Sequence, residues 1–141
     1  MKQIGATIEI DAPIERVWGT IADFASYKDW NPCIRSISGE AKPHSALWIT
    51  GSSTRGKITN FPGEVLKVES NKELSIKGIF AKGLVTSEHR FLFESLGPTR
   101  TRFSQVDTFE GSLASLFGGT LRDMEKGFEQ MNEALKRRCE E

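Results

Sequence analysis

Ile4, Ala6, Ile8 and Ile10 alternate with Gly5, Thr7 and Glu9, and this period of two predicts a strand with one buried face. At Pro13 the period changes. Proline suits the first position of a helix and Glu15 falls in its electropositive first turn. Ile14, Val17, Trp18 and Ile21 recur at i, i+3, i+4 and i+7, so a short amphipathic helix follows. From Asp23 to Pro32 the periodicity is weak, and the proline disfavours helix at Asn31, which predicts a second helical turn and then a loop. Trp30, Asn31 and Pro32 are expected to cap the core where the short helices meet the sheet. Between Cys33 and Glu110 the chain is rich in β-branched and aromatic residues, punctuated by Gly39, Pro43, Gly51, Gly56, Pro62-Gly63, Asn71, Gly78, Gly83 and Gly97-Pro98. Turns this close together suit hairpins, predicting an antiparallel meander of about six strands over 34–40, 47–52, 56–69, 73–78, 84–95 and 100–111. Pro62 marks a bulge or an edge position in the third of these. Finally, Leu113, Phe117, Leu121, Met124, Phe128, Met131 and Leu135 follow helical spacing, with Asp123, Lys126, Glu129, Glu133 and Arg137 on the opposite face. A helix over 120–138 would run roughly 28 Å, enough to cross a sheet, and Gly118-Gly119 should bend its start.

Charge narrows the partners. In 141 residues, 19 Lys and Arg balance 19 Asp and Glu, so nothing supplies the basic excess that drives binding to nucleic acid or to an anionic membrane. No apolar run is long enough to span a bilayer and no apolar leader precedes the first strand, so a cytoplasmic location is expected. Cys33 and Cys139 have neither metal-ligand nor redox spacing, and both read as ordinary thiols. No metal or cofactor is expected, and the chain reads as one domain over 1–141, a monomer or weak homodimer.

A strand, two short helices, a meander and a long C-terminal helix make an α+β arrangement, in which a curved antiparallel sheet buries one face against the helix. Several segments are specific. Ala12-Pro13 with Val17-Trp18, followed by Asp23-Phe24, Tyr27 and Trp30-Asn31-Pro32, resembles the opening of the SRPBCC or START-like superfamily, the helix-grip fold of polyketide cyclases and lipid-transfer domains. The later segments Glu88-His89-Arg90-Phe91, Thr101 to Gln105, Phe109 with Gly111, and Phe128 with Met131-Asn132 and Ala134-Leu135-Lys136 look like a bacterial branch near the polyketide cyclase/dehydrases. The resemblance implies a sheet of about seven strands wrapped around the C-terminal helix, with a cavity between them for an apolar ligand. Physics agrees, because a curved sheet and a straight helix cannot touch along their whole length. Nine Phe, three Trp and three Met are available either to line such a space or to fill it.

Phase selects the polar groups that face inward. If Phe91 and Phe93 face the cavity, Ser87 and His89 do too; Phe103 and Phe109 likewise carry Thr101, Gln105 and Asp107 inward. A turn at Gly97-Pro98 sets His89 opposite Asp107 or Gln105. Such a pair can act as a general base, hold the polar tip of a ligand, or be only a structural hydrogen bond. The expected binding set is Trp48, Phe61, Ile76, His89, Phe91, Phe103, Gln105, Phe117, Leu121, Met124 and Phe128. The leading function is binding or transport of a small hydrophobic or amphipathic molecule. Its rival is a polyketide cyclase or dehydratase in which His89 moves a proton and Asp107 or Gln105 orients it; a third is a protein-interaction module like the chaperone-ATPase activators of the same superfamily. The stretch 111–121 is expected to gate ligand entry, with Leu113, Leu116 and Phe117 as an apolar lid and Gly118-Gly119 as its hinge. Gly51 to Gly56 reads as a hairpin turn rather than a phosphate loop, since no Lys-Ser/Thr follows and no helix opens there.

Overall fold

The alternating N-terminal residues form strand β1 (Lys2–Ile10), and the helical spacing after Pro13 forms α1 (Ile14–Ala22) with Val17 and Ile21 buried. This computed structural model describes residues 2–110 and 119–141. A 3₁₀ turn at Phe24–Ser26 leads into α2 (Tyr27–Trp30), and the chain then enters β2 (Ile34–Ser38), β3 (Ala46–Ser52), β4 (Ile58–Glu69), β5 (Glu73–Phe80), β6 (Val85–Gly97) and β7 (Arg100–Phe109). After residues 111–118, which are not described, α3 runs from Leu121 to Glu140.

All seven strands join one antiparallel sheet in the order β1-β7-β6-β5-β4-β3-β2. The first strand therefore pairs with the last, and the short helices carry the chain across the open side to the far edge. The sheet curls into a half-barrel around α3, the α+β helix-grip fold. Its bend is written partly in glycine. Gly63 on β4 faces Gly78 on β5, and a Cβ on Gly63 would come within 2.6 Å of the Lys77 carbonyl oxygen, so the strands approach too closely for any side chain. Pro62 fits the edge expectation and not the bulge: among the described residues, β4 from Ile58 to Pro62 pairs with β3 alone, because pairing with β5 begins at Gly63, and the bulge lies further on, between Val65 and Lys67.

The main core gathers Val17 and Ile21 of α1, Tyr27 of α2, Met131 and Leu135 of α3, and the inward residues Phe91, Phe93 and Phe103 of the sheet. Trp30 packs on its margin, edge-on to Tyr27 at 5.3 Å. A smaller cluster joins Ile4, Phe80, Phe109 and Phe128, with Leu121 and Met124 against it. The C-terminal end of α3 is tied down: Arg16 donates to the Cys139 carbonyl at 3.2 Å, the Asp11 amide donates to Glu140 at 2.8 Å, and Lys136 donates to the Glu9 carbonyl at 3.2 Å. Among the described residues, no helix is long and apolar enough to cross a membrane.

Candidate functional site

Strands β6 and β7 are paired so that His89 lies directly opposite Asp107, and Gln105 lies two residues along on the same face. The imidazole uses both nitrogens. Its Nδ1 is 3.2 Å from Asp107 Oδ2, and its Nε2 is 2.9 Å from Gln105 Oε1. Gln105 Nε2 in turn donates to the Phe128 carbonyl at 3.1 Å and to Asn132 Oδ1 at 2.7 Å, both on α3. A carbonyl only accepts, so Nε2 must be the end of the Gln105 amide that faces α3, and Oε1 must face the histidine. His89 Nε2 therefore carries a proton. The close approach of Nδ1 to Asp107 then requires a second proton between them, held by ring or by carboxyl, so the pair is formally neutral in either arrangement. Phe91 and Phe128 hold the imidazole between them, with ring centroids 4.6 and 4.8 Å away.

This pair lies in the wall of a cavity of about 110 Å³ between the curled sheet and the N-terminal half of α3. Its inner walls are Ile37, Ile49, Phe61, Ile76, Phe80 and Phe91 from the sheet, with Met124 and Phe128 from α3. Ser87, His89 and Asp107 make the polar end. Asp107 is only 6% exposed, and its Oδ1 is buried with no hydrogen-bond partner among the described residues. Cys33 also lines this end, placed there because Asn31 Oδ1 accepts from the backbone amides of Cys33 and Ile34 at 2.9 Å each. Its thiol is pushed up to about 12, first by burial and then by the negative charge of Asp107, and is held as an unreactive neutral group. The rim is formed by Ser52 to Arg55 of the β3–β4 hairpin on one side and by Gly119, Asp123 and Gly127 on the other, bridged by Arg55 and Asp123 at 3.4 Å. Among the described residues no three His, Cys, Asp or Glu side chains come together as a metal-ligating group.

Of the residues expected to bind, Phe61, Ile76, His89, Phe91, Met124 and Phe128 lie in the cavity wall. Gln105 stands behind His89 and orients it. Trp48 is a correction: it is 53% exposed on the outer face of β3, since Leu47, Ile49 and Gly51 take the inward phase and Ile49 reaches the cavity in its place. Phe103 is also displaced, fully buried one layer deeper against Phe91 and Phe93. Leu121 packs beside Phe128 outside the cavity wall. Phe117, the lid residues Leu113 and Leu116, and Gly118 of the expected hinge lie outside the described residues. Sequence reasoning missed Cys33, Phe80 and Arg55, which the curl of the sheet brings to the site, and Asp123 and Gly127, which α3 presents to it. The Gly51 to Gly56 segment is the expected hairpin turn, closed by the Gly56 amide donating to the Ser53 carbonyl at 2.9 Å, yet it also forms the rim.

Over residues 1–140 the chain matches the family model described as polyketide cyclase / dehydrase and lipid transport. No curated protein matches it in sequence. Among solved structures it resembles a protein from Thermus thermophilus at 20% identity and TM-score 0.76, covering 98% of this chain and 97% of that one. A START superfamily protein from Mycobacterium smegmatis is 21% identical at TM-score 0.74, with 98% and 97% covered. The Zhui aromatase/cyclase from Streptomyces sp. R1128 is 16% identical at TM-score 0.70, with 99% and 93% covered. Likenesses at this identity establish the shared fold.

Proposed function

We propose, for a chain that belongs to the polyketide cyclase/dehydrase and lipid transport family, that it binds a small hydrophobic or amphipathic molecule in the cavity between the sheet and α3. One observation carries the proposal: a cavity of about 110 Å³ has apolar walls from Ile37, Ile49, Ile76, Phe80 and Phe91, with Ser87, His89 and Asp107 gathered at one end inside a polar rim. That is the composition of a ligand site, in which apolar contact supplies affinity and a few placed polar groups supply orientation. Apolar cavities of roughly 150 Å³ accept benzene, so a space of about 110 Å³ takes a short aliphatic segment or most of a single ring, with the remainder of the ligand leaving past the Arg55–Asp123 rim.

The hydrogen bonding of His89 favours binding over the rival enzyme reading. A general base needs a free lone pair directed at its substrate. Here Nε2 already donates to Gln105, and Nδ1 is engaged by Asp107.

Ligand binding stabilises the folded state by RT ln(1 + [L]/Kd), about 2.7 kcal/mol at a hundredfold excess over Kd, which raises Tm by several degrees. A thermal-shift screen of single-ring aromatics, flavonoids, long-chain alcohols and fatty acids is expected to find such compounds. If none moves the midpoint at millimolar concentration, the cavity does not bind ligand and the proposal fails.

A further inference from the structure

We propose that Asp107 Oδ1 is the atom that recognises the ligand, and that it selects a neutral molecule with a hydroxyl group at its buried end. The inference rests on the binding reading above and names the ligand class. Asp107 is more than nine-tenths buried, lines the cavity, and commits Oδ2 to His89, which leaves Oδ1 as a buried oxygen without a partner among the described residues. A buried polar atom left in this state is costly, and a ligand that satisfies it gains that free energy on binding.

Proton bookkeeping decides what the ligand must offer. If the shared proton sits on the ring, Asp107 is a carboxylate and Oδ1 accepts. If it sits on Oδ2, Oδ1 is the carbonyl oxygen of a carboxylic acid and again accepts. The site therefore calls for a donor in both arrangements. The pair is formally neutral, so a buried ammonium would enter an apolar cavity with no net counter-charge, while a ligand carboxylate would set acceptor against acceptor. A phenol or alcohol avoids both costs. Ser87, on the same face of β6 two residues from His89, adds a second hydroxyl at this end of the cavity.

Three ring compounds of matched shape test the assignment: p-cresol, p-xylene and p-toluate, titrated into the protein by NMR chemical-shift perturbation. The expected result is p-cresol binding about tenfold more tightly than p-xylene, with p-toluate weaker than both, as a hydrogen bond to this acceptor would produce. Asp107→Leu removes the acceptor in either proton arrangement and should bring the ratio of p-cresol to p-xylene affinity down to about one; a ratio that stays near ten in this variant would overturn the assignment. Equal binding of p-cresol and p-xylene by the native protein would overturn the role of Oδ1 while leaving the cavity as a ligand site. Tighter binding of p-toluate than of p-cresol would also overturn it. Failure of both neutral compounds to bind would overturn this assignment, and the binding proposal falls with it only if the thermal-shift screen is also blank.

Discussion

Gln105 is the residue on which the site turns, because a primary amide can donate and accept in opposite directions at once. Its NH₂ reaches across the interior to the Phe128 carbonyl and Asn132 on α3, and its oxygen holds His89 on β6. One fully buried side chain thus joins the floor of the cavity to its roof. Leucine has a similar volume and none of this bonding. Gln105→Leu would strand the His89 Nε2 proton and the Asn132 oxygen, and each buried group left unpaired costs about 1–3 kcal/mol. Urea unfolding should show a loss of at least the lower figure, and a variant as stable as the native protein would mean that these bonds add nothing to the fold. The pairing of His89 with Asp107 is legible from the sequence because it needs only strand alternation and a short turn. The protonation of Nε2 is not, since it depends on a carbonyl of a helix more than twenty residues further along the chain.

At the scale of the element, α3 has two unlike halves. Its C-terminal turns are bonded to β1, α1 and the connection between them, whereas its N-terminal turns stand over the cavity. What starts the helix is a capping box: Thr120 Oγ1 accepts from the Asp123 amide at 3.2 Å, and the Thr120 amide donates to Asp123 Oδ2 at 2.9 Å. The backbone bond from Thr120 comes first among the effects on the Asp123 carboxyl and, with the nearby charges of Arg55 and Lys126, holds it below the usual carboxylate range despite some desolvation. Thr120→Ala should cost about 1 kcal/mol in chemical denaturation, and because the far half is anchored independently, hydrogen exchange should quicken in the first turns of α3 and not in the last. Uniform quickening would show that the helix behaves as one unit. The length of α3 is readable in advance because its apolar face repeats over five turns. Strand β3 is not, because seven residues beside an edge allow either phase, and Trp48 misleads: its size suggests burial, while the register sets it outward across from Pro62.

For the whole molecule, the cavity exists because a curled sheet meets a straight helix, and a glycine helps to keep it open. Gly127 lies within α3 at the rim, where a Cβ would sit 3.7 Å from Cys33 Sγ and 3.9 Å from Thr54 Cγ2, ordinary contact distances that require nothing to move. Alanine would fit there. It would also improve the helix by about 1 kcal/mol, since glycine is the poorer residue in a helix interior. Gly127→Ala is therefore expected to raise the unfolding free energy by about that amount and, by adding a methyl group beside the cavity, to weaken p-cresol binding several-fold; calorimetry and titration on one preparation check both. A gain in stability with undiminished binding would show that position 127 does not limit the space. The consequence reaches to how such a protein is improved in the laboratory. A library ranked by heat resistance alone would advance the alanine, and the winners would be sturdier proteins with less room inside, so any campaign on this chain needs a binding screen run alongside the thermal one.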